Sequence, residues 1–208
     1  VAFVSEATNL VSGDTNNVAD IFVHDRQTGQ TTRVSVGSDG TQANNRSSDP
    51  SISADGRYVA FASLASNLVS GDTNGAWDVF VHDRQTGQTT RVSVASDGTQ
   101  AIGFFFGSSN PSISADGRYV AFDSWATNLV SGDTNDKPDV FVHDRQTGQT
   151  TRVSVSSDGT QANNGANYPS ISADGRYVAF TSDATNLVSG DTNGAWDIFV
   201  HDQQTGQT

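Results

Sequence analysis

Pro50-Ser-Ile-Ser-Ala-Asp-Gly-Arg-Tyr-Val-Ala-Phe61, continued by Asp78-Val-Phe-Val-His-Asp-Arg-Gln-Thr-Gly87, is one unit of a pattern that runs through the whole chain. Its landmark Val-Ala-Phe begins at Val1, Val59, Val120 and Val178, in steps of 58, 61 and 58 residues. A companion segment, Arg-Gln-Thr-Gly-Gln-Thr-Thr-Arg-Val-Ser-Val, starts at Arg26, Arg84 and Arg145 and begins to recur at Gln203 to Thr208. Repetition at a long fixed period decides the architecture before any single element is assigned.

Within the second copy the pattern spells four short strands. Pro50 to Ser53 forms a brief first strand, and Ala54-Asp55-Gly56-Arg57 is an Asp-Gly hairpin turn. Tyr58 to Ser63 follows as the second strand. After a connection from Leu64 to Trp77, the β-branched and aromatic run Asp78 to Asp83 marks the third. A turn around Gly87 leads into Thr89 to Val94, where Val92 and Val94 alternate with Arg91 and Ser93. Ser96 to Asn110 connects to the next copy at Pro111.

A single four-stranded sheet cannot bury both faces unless neighbours cover it, so tandem units of this kind predict an all-β fold, a β-propeller of four-stranded antiparallel blades. A β-solenoid is the alternative, but its repeats are shorter and carry fewer strands. The units divide at about 1–49, 50–110, 111–168 and 169–208, as one repeat domain. Composition agrees: Glu6 and Lys137 are the only Glu and Lys, which removes the residues that build helical bundles.

The Pro-Ser-Ile-Ser-Ala-Asp-Gly core ending in Ala-Phe, with its Asp-led apolar strand running into Asp-Arg-Gln-Thr-Gly, resembles the TolB-type, WD-repeat-like propeller repeat of bacteria. That resemblance implies a propeller across all four copies and an interaction scaffold, without specifying a ligand. Blades of about 58 residues exceed the ~40 to 45 of WD-type blades, and the excess lies in the loop after the second strand.

Charge narrows the partners. With 23 acidic against 11 basic side chains and a net charge of -12, the chain lacks the clustered positive charge that nucleic acid requires. No apolar run reaches the ~18 residues of a membrane span, and the absence of Cys excludes disulfides, thiolate metal sites and a cysteine nucleophile. The chain opens without a signal peptide and reads as an excised or trimmed segment. Its first unit lacks the first strand and its last lacks most of the fourth, so open blade edges predict a larger array, a four-bladed ring, or self-association into a dimer or filament.

The most repeated polar feature is Ser-Gly-Asp-Thr-Asn-x-x-x-Asp. It supplies Asp14, Asn16 and Asp20; Asp72, Asn74 and Asp78; Asp133, Asn135 and Asp139; and Asp191, Asn193 and Asp197. Oxygens at relative positions 1, 3 and 7 of a Gly-containing loop suit Ca²⁺, although the bidentate Glu of a complete calcium loop is missing. An Asx-turn that caps the backbone before the third strand is the other reading.

His24, His82, His143 and His201 each precede an Asp, but a residue stamped into every blade reads as structure, because catalysis needs one asymmetric constellation. No catalytic set is identified and the chain is expected to be non-enzymatic. Asymmetry lies in the loops: Phe104, Phe105 and Phe106 in a three-residue insertion, and the irregular Trp77, Trp125, Trp196 and Tyr168. Phe104, Phe105, Phe106, Trp77 and Trp196 are the candidate partner-binding residues, on the face that gathers the long loops. The sequence therefore points to an interaction or assembly module of a secreted, surface or periplasmic protein with calcium-stabilised loops. A lectin-like carbohydrate-binding propeller is the alternative, and a polysaccharide lyase or hydrolase a weaker third.

Overall fold

The computed structural model describes residues 1–102 and 106–208. The described residues form four antiparallel sheets, one per repeat, and no helix. Blade 1 contains β1 (Ala2–Ser5), β2 (Asp20–His24) and β3 (Thr31–Arg33). Blade 2 holds β4 (Ser47–Ile52), β5 (Tyr58–Ser63), β6 (Asp78–Asp83) and β7 (Gln88–Arg91). In blade 3 the strands are β8 (Ser108–Ile113), β9 (Tyr119–Ser124), β10 (Asp139–Asp144) and β11 (Thr150–Arg152). Blade 4 consists of β12 (Ala166–Ile171), β13 (Tyr177–Ser182) and β14 (Asp197–Asp202). Each sheet follows chain order, so every blade is a meander. The propeller predicted from the repeat is the fold observed.

Two boundaries differ from expectation. The first strand of blade 2 starts at Ser47 rather than Pro50, because Ser47 Oγ bonds Ser63 Oγ at 3.0 Å and the ladder extends past the proline. This extension requires a register shift, and Asp49, Asn110 and Tyr168, each preceding a proline, take φ of 52°, 50° and 54°. The fourth strand ends at Arg91 rather than Val94: Val92 and Ser93 both direct their N–H at Val79 O, at 2.8 and 3.4 Å, which breaks the regular pairing.

Cores form between blades. Ile21, Val23 and Val34 of blade 1 pack on Val59, Phe61 and Phe80 of blade 2. Val79, Val81 and Val92 meet Val120, Phe122 and Phe141 in the same manner, and Val140, Val142 and Val153 meet Val178, Phe180 and Phe199. Within blades the Phe pairs stack with centroids 5.8–5.9 Å apart. Among the described residues the series does not close into a ring. Ile198 and Val200 of blade 4 are 70% and 50% exposed, whereas Ile21 and Val23 at the same repeat positions are 0% and 2% exposed.

Candidate functional site

Each acidic loop folds back on the start of the third strand. Asn16 Oδ1 accepts the Val18 N–H at 3.2 Å, an Asx-turn, and Asn16 Nδ2 donates to Asp20 Oδ2 at 2.9 Å. The same turn recurs at Asn74, Asn135 and Asn193. The final Asp reaches into the blade: Ser35, Ser93 and Ser154 donate their hydroxyls to Asp20, Asp78 and Asp139 at 2.5 Å.

The oxygens that a cation would bind converge on a cation within the chain. Arg33 Nη1 lies 3.4 Å from Asp14 Oδ1 and 3.7 Å from Asp20 Oδ2. Arg91 holds the matching place between Asp72 and Asp78 at 3.4 and 3.5 Å, and Arg152 between Asp133 and Asp139 at 3.7 and 3.4 Å. Because Nε and Nη1 of Arg33 and Arg91 make no direct hydrogen bond, the guanidinium there acts as a buried positive charge rather than a bidentate fork. Burial raises the Asp78 and Asp139 carboxyls, opposed by the serine and the arginine, while burial and the Asp78 charge push Asp72 up to about 6. In the fourth loop Asn193 donates to Asp197 at 2.8 Å, and Asp191 and Asp197 have no ion pair among the described residues. No group of three or more His, Cys, Asp or Glu placed to hold a metal is found among the described residues.

Three of the four histidines form inter-blade latches, while His24 pairs with Thr31 within blade 1 at 3.0 Å. His82 Nδ1 lies 2.9 Å from Thr89 Oγ1, whose single hydroxyl proton goes to Val36 O of blade 1 at 2.5 Å, so the imidazole Nδ1–H must be the donor. His143 with Thr150 and Val94, and His201 with Thr208 and Val155, repeat the arrangement. Burial lowers the pKa of all three imidazoles, which keeps them neutral. The Asp after each is held well below the usual carboxylate range by the bidentate guanidinium of Arg57, Arg118 or Arg176.

Departures from the repeat lie together. Trp77 and Phe106 line one cleft of about 640 Å³ with Arg46 and Asp49, and the Arg46 guanidinium sits 5.6 Å from the Trp77 ring centre. Phe106, 70% exposed, packs against Trp125 with centroids 5.6 Å apart. Asp123 replaces the Ala62 and Thr181 of neighbouring copies and accepts from Ser109 Oγ, a residue of the cleft lining, at 2.7 Å, from Asn110 Nδ2 at 2.8 Å and from Tyr168 N at 3.0 Å. Burial raises its pKa. Trp196 is exposed on blade 4 and does not line this cleft; Phe104 and Phe105 fall outside the described residues. Sequence reading missed the cradle arginines and the Asp123 knot. The signal for Asp123 was variation among otherwise matching copies.

No family model and no curated protein matches the chain. Among solved structures, it is similar to TolB from Acinetobacter baumannii, with 21% identity over 94% of this chain and 38% of that one, at a TM-score of 0.54. It is also similar to a putative TolB from Agrobacterium tumefaciens (15% identity, 92% and 55% covered, TM-score 0.55). A prolyl endopeptidase structure matches at 16% identity over 91% of this chain and 25% of that one, with TM-score 0.53. The chain thus spans 38% and 55% of the two TolB chains, and the likeness establishes a TolB-type propeller fold.

Proposed function

We propose that the chain is a non-enzymatic interaction module whose binding surface is the cleft bounded by Trp77 and Phe106. One observation carries this reading: the repeated His and Asp side chains are engaged in contacts that recur from blade to blade, whereas Trp77, Phe106, Trp125 and Asp49, at irregular positions, share a surface. Aromatic side chains combined with a guanidinium are the groups that concentrate binding energy at interfaces. Carbohydrate is the second reading, supported by the Trp77 face with Asp49 and Arg46 at its rim. An extracellular, surface or periplasmic setting and head-to-tail association through the uncovered blade faces belong to the same proposal.

A calcium ion at the acidic loops is the competing proposal for these carboxylates, and it has a defined cost. In the first three blades it would have to displace Arg33, Arg91 or Arg152 from the carboxylates it needs.

The binding reading is tested on mixed glycan and peptide arrays. A ligand retained by the wild type is expected to weaken about 30-fold or more in Trp77→Ala, as for a central aromatic anchor, and to survive Trp196→Ala. Turnover of an acidic polysaccharide or a peptide that disappears in Asp123→Asn would overturn the non-enzymatic reading.

A further inference from the structure

At the opposite end of the strands from that cleft, the hairpin turns of successive blades meet around a tyrosine. Tyr58 of blade 2 packs on the turn of blade 3 so closely that a Cβ on Gly117 would lie 2.1 Å from its ring. Two guanidinium groups attend the ring: Arg57 at 4.7 Å from the centroid and Arg145, from the blade 3 hairpin, at 4.4 Å. Arg145 also donates to Gly117 O at 2.5 Å.

The junction of blades 3 and 4 repeats this arrangement with one part missing. Tyr119 packs on Gly175, where a Cβ would lie 2.2 Å from the ring, and Arg118 stands 4.7 Å from its centroid. The position of Arg145 is taken by Gln203, whose amide donates to Gly175 O. The carbonyl keeps its donor, but the tyrosine loses its second cation. The cleft bounded by Tyr119, Asp174, Arg176 and Gln203 measures about 480 Å³, against about 300 Å³ where Arg145 is present. It carries one positive charge fewer than its counterpart, in a chain of net charge -12.

We propose that this cleft is a binding site for a guanidinium group, the side chain of an arginine in a partner polypeptide, which takes the place over Tyr119 that Arg145 takes over Tyr58. A ring face attracts a cation through its quadrupole, and the paired blade shows that this geometry accommodates one. Asp174, whose Oδ1 accepts from Ser172 Oγ and Arg176 N, places a carboxylate at the rim.

The test is titration of the full chain with N-acetyl-arginine amide, followed through the Tyr119 ring resonances, with N-acetyl-glutamine amide as the neutral control. Saturable binding by the arginine probe alone is expected. Gln203→Arg, which restores the repeat residue and is therefore expected to fold, should weaken it about tenfold or more. Arg145→Gln should create a second site that reports at Tyr58. Absence of saturable binding, equal response to the glutamine probe, or binding unaffected by Gln203→Arg would each overturn the assignment.

Discussion

Arg91→Ala is expected to lower the stability of the folded chain by about 3–5 kcal/mol, the range for removing one partner of a buried ion pair. For a chain of this length that corresponds to a fall of about 6–20 °C in melting temperature. The arginine side chain is 10% exposed and those of Asp72 and Asp78 are 4% and 0% exposed. Truncation leaves two carboxylates facing each other without their cation in a site that already raises both pKa values. Asp78→Asn in the Arg91→Ala background should recover part of the loss, because it removes one uncompensated charge. Arg57→Ala is the matched control. Its ion pair with Asp83 is bidentate, but the arginine side chain is 35% exposed and screened by solvent, so its truncation is expected to cost less than that of Arg91. Equal losses in the two arginine variants, measured by thermal melting, would refute the assignment of the cradle as the polar centre of the blade.

The second large effect comes from one residue type at one repeat position. Ile21 and Ile198 occupy equivalent places in blades 1 and 4, yet the first is fully buried against blade 2 and the second is 70% exposed. Ile21→Ala should cost about 2–5 kcal/mol through lost transfer energy and the cavity left behind. Ile198→Ala should stay within about 0.5 kcal/mol at low protein concentration. Should Ile198→Ala become as costly as protein concentration rises, the blade 4 face is covered by another copy in solution. Losses that match at every concentration would contradict an uncovered end face in the free chain.

Most of the fold is legible because the repeat does most of the specification. Tyr58 to Ser63 and Asp78 to Asp83 are short runs rich in apolar, β-branched and aromatic residues, bounded by turn residues, and the structure places those strands at the expected residues. The first strand is harder to delimit: a proline marks a strand start by local preference, but Ser47 and Ser48 join the ladder across a bulge that holds the pre-proline Asp49 at positive φ. Tertiary pairing prevailed there over propensity.

The acidic loops were half legible. Asp-x-Asn announces the turn, and the structure contains that turn, but the role of the third carboxylate depends on the hairpin register. Pairing of Phe80 with Arg91 sets the arginine on the same face as Asp78, two residues away along the strand. That deduction requires the β6–β7 register, which the spacing of Asp and Asn does not contain. Trp77 lies in the loop between β5 and β6 and Phe106 in the connection from blade 2 to blade 3, and their shared cleft follows only from the stacking of blades 2 and 3. The guanidinium-deficient junction at Gln203 rests on a single substitution within a repeated turn, visible in the sequence but meaningless until Tyr119 is seen against Gly175.

Calorimetric titration of the intact chain with calcium, paired with Asp78→Asn, tests the internal cation of the blades most directly. If the guanidinium groups already neutralise the carboxylates, calcium produces no saturable uptake attributable to blades 1 to 3, and millimolar calcium and excess EDTA give the same melting temperature. A binding isotherm of three or more ions per chain, reduced by one in Asp78→Asn and accompanied by a calcium-dependent rise in melting temperature, would assign the loops to the metal and contradict this account.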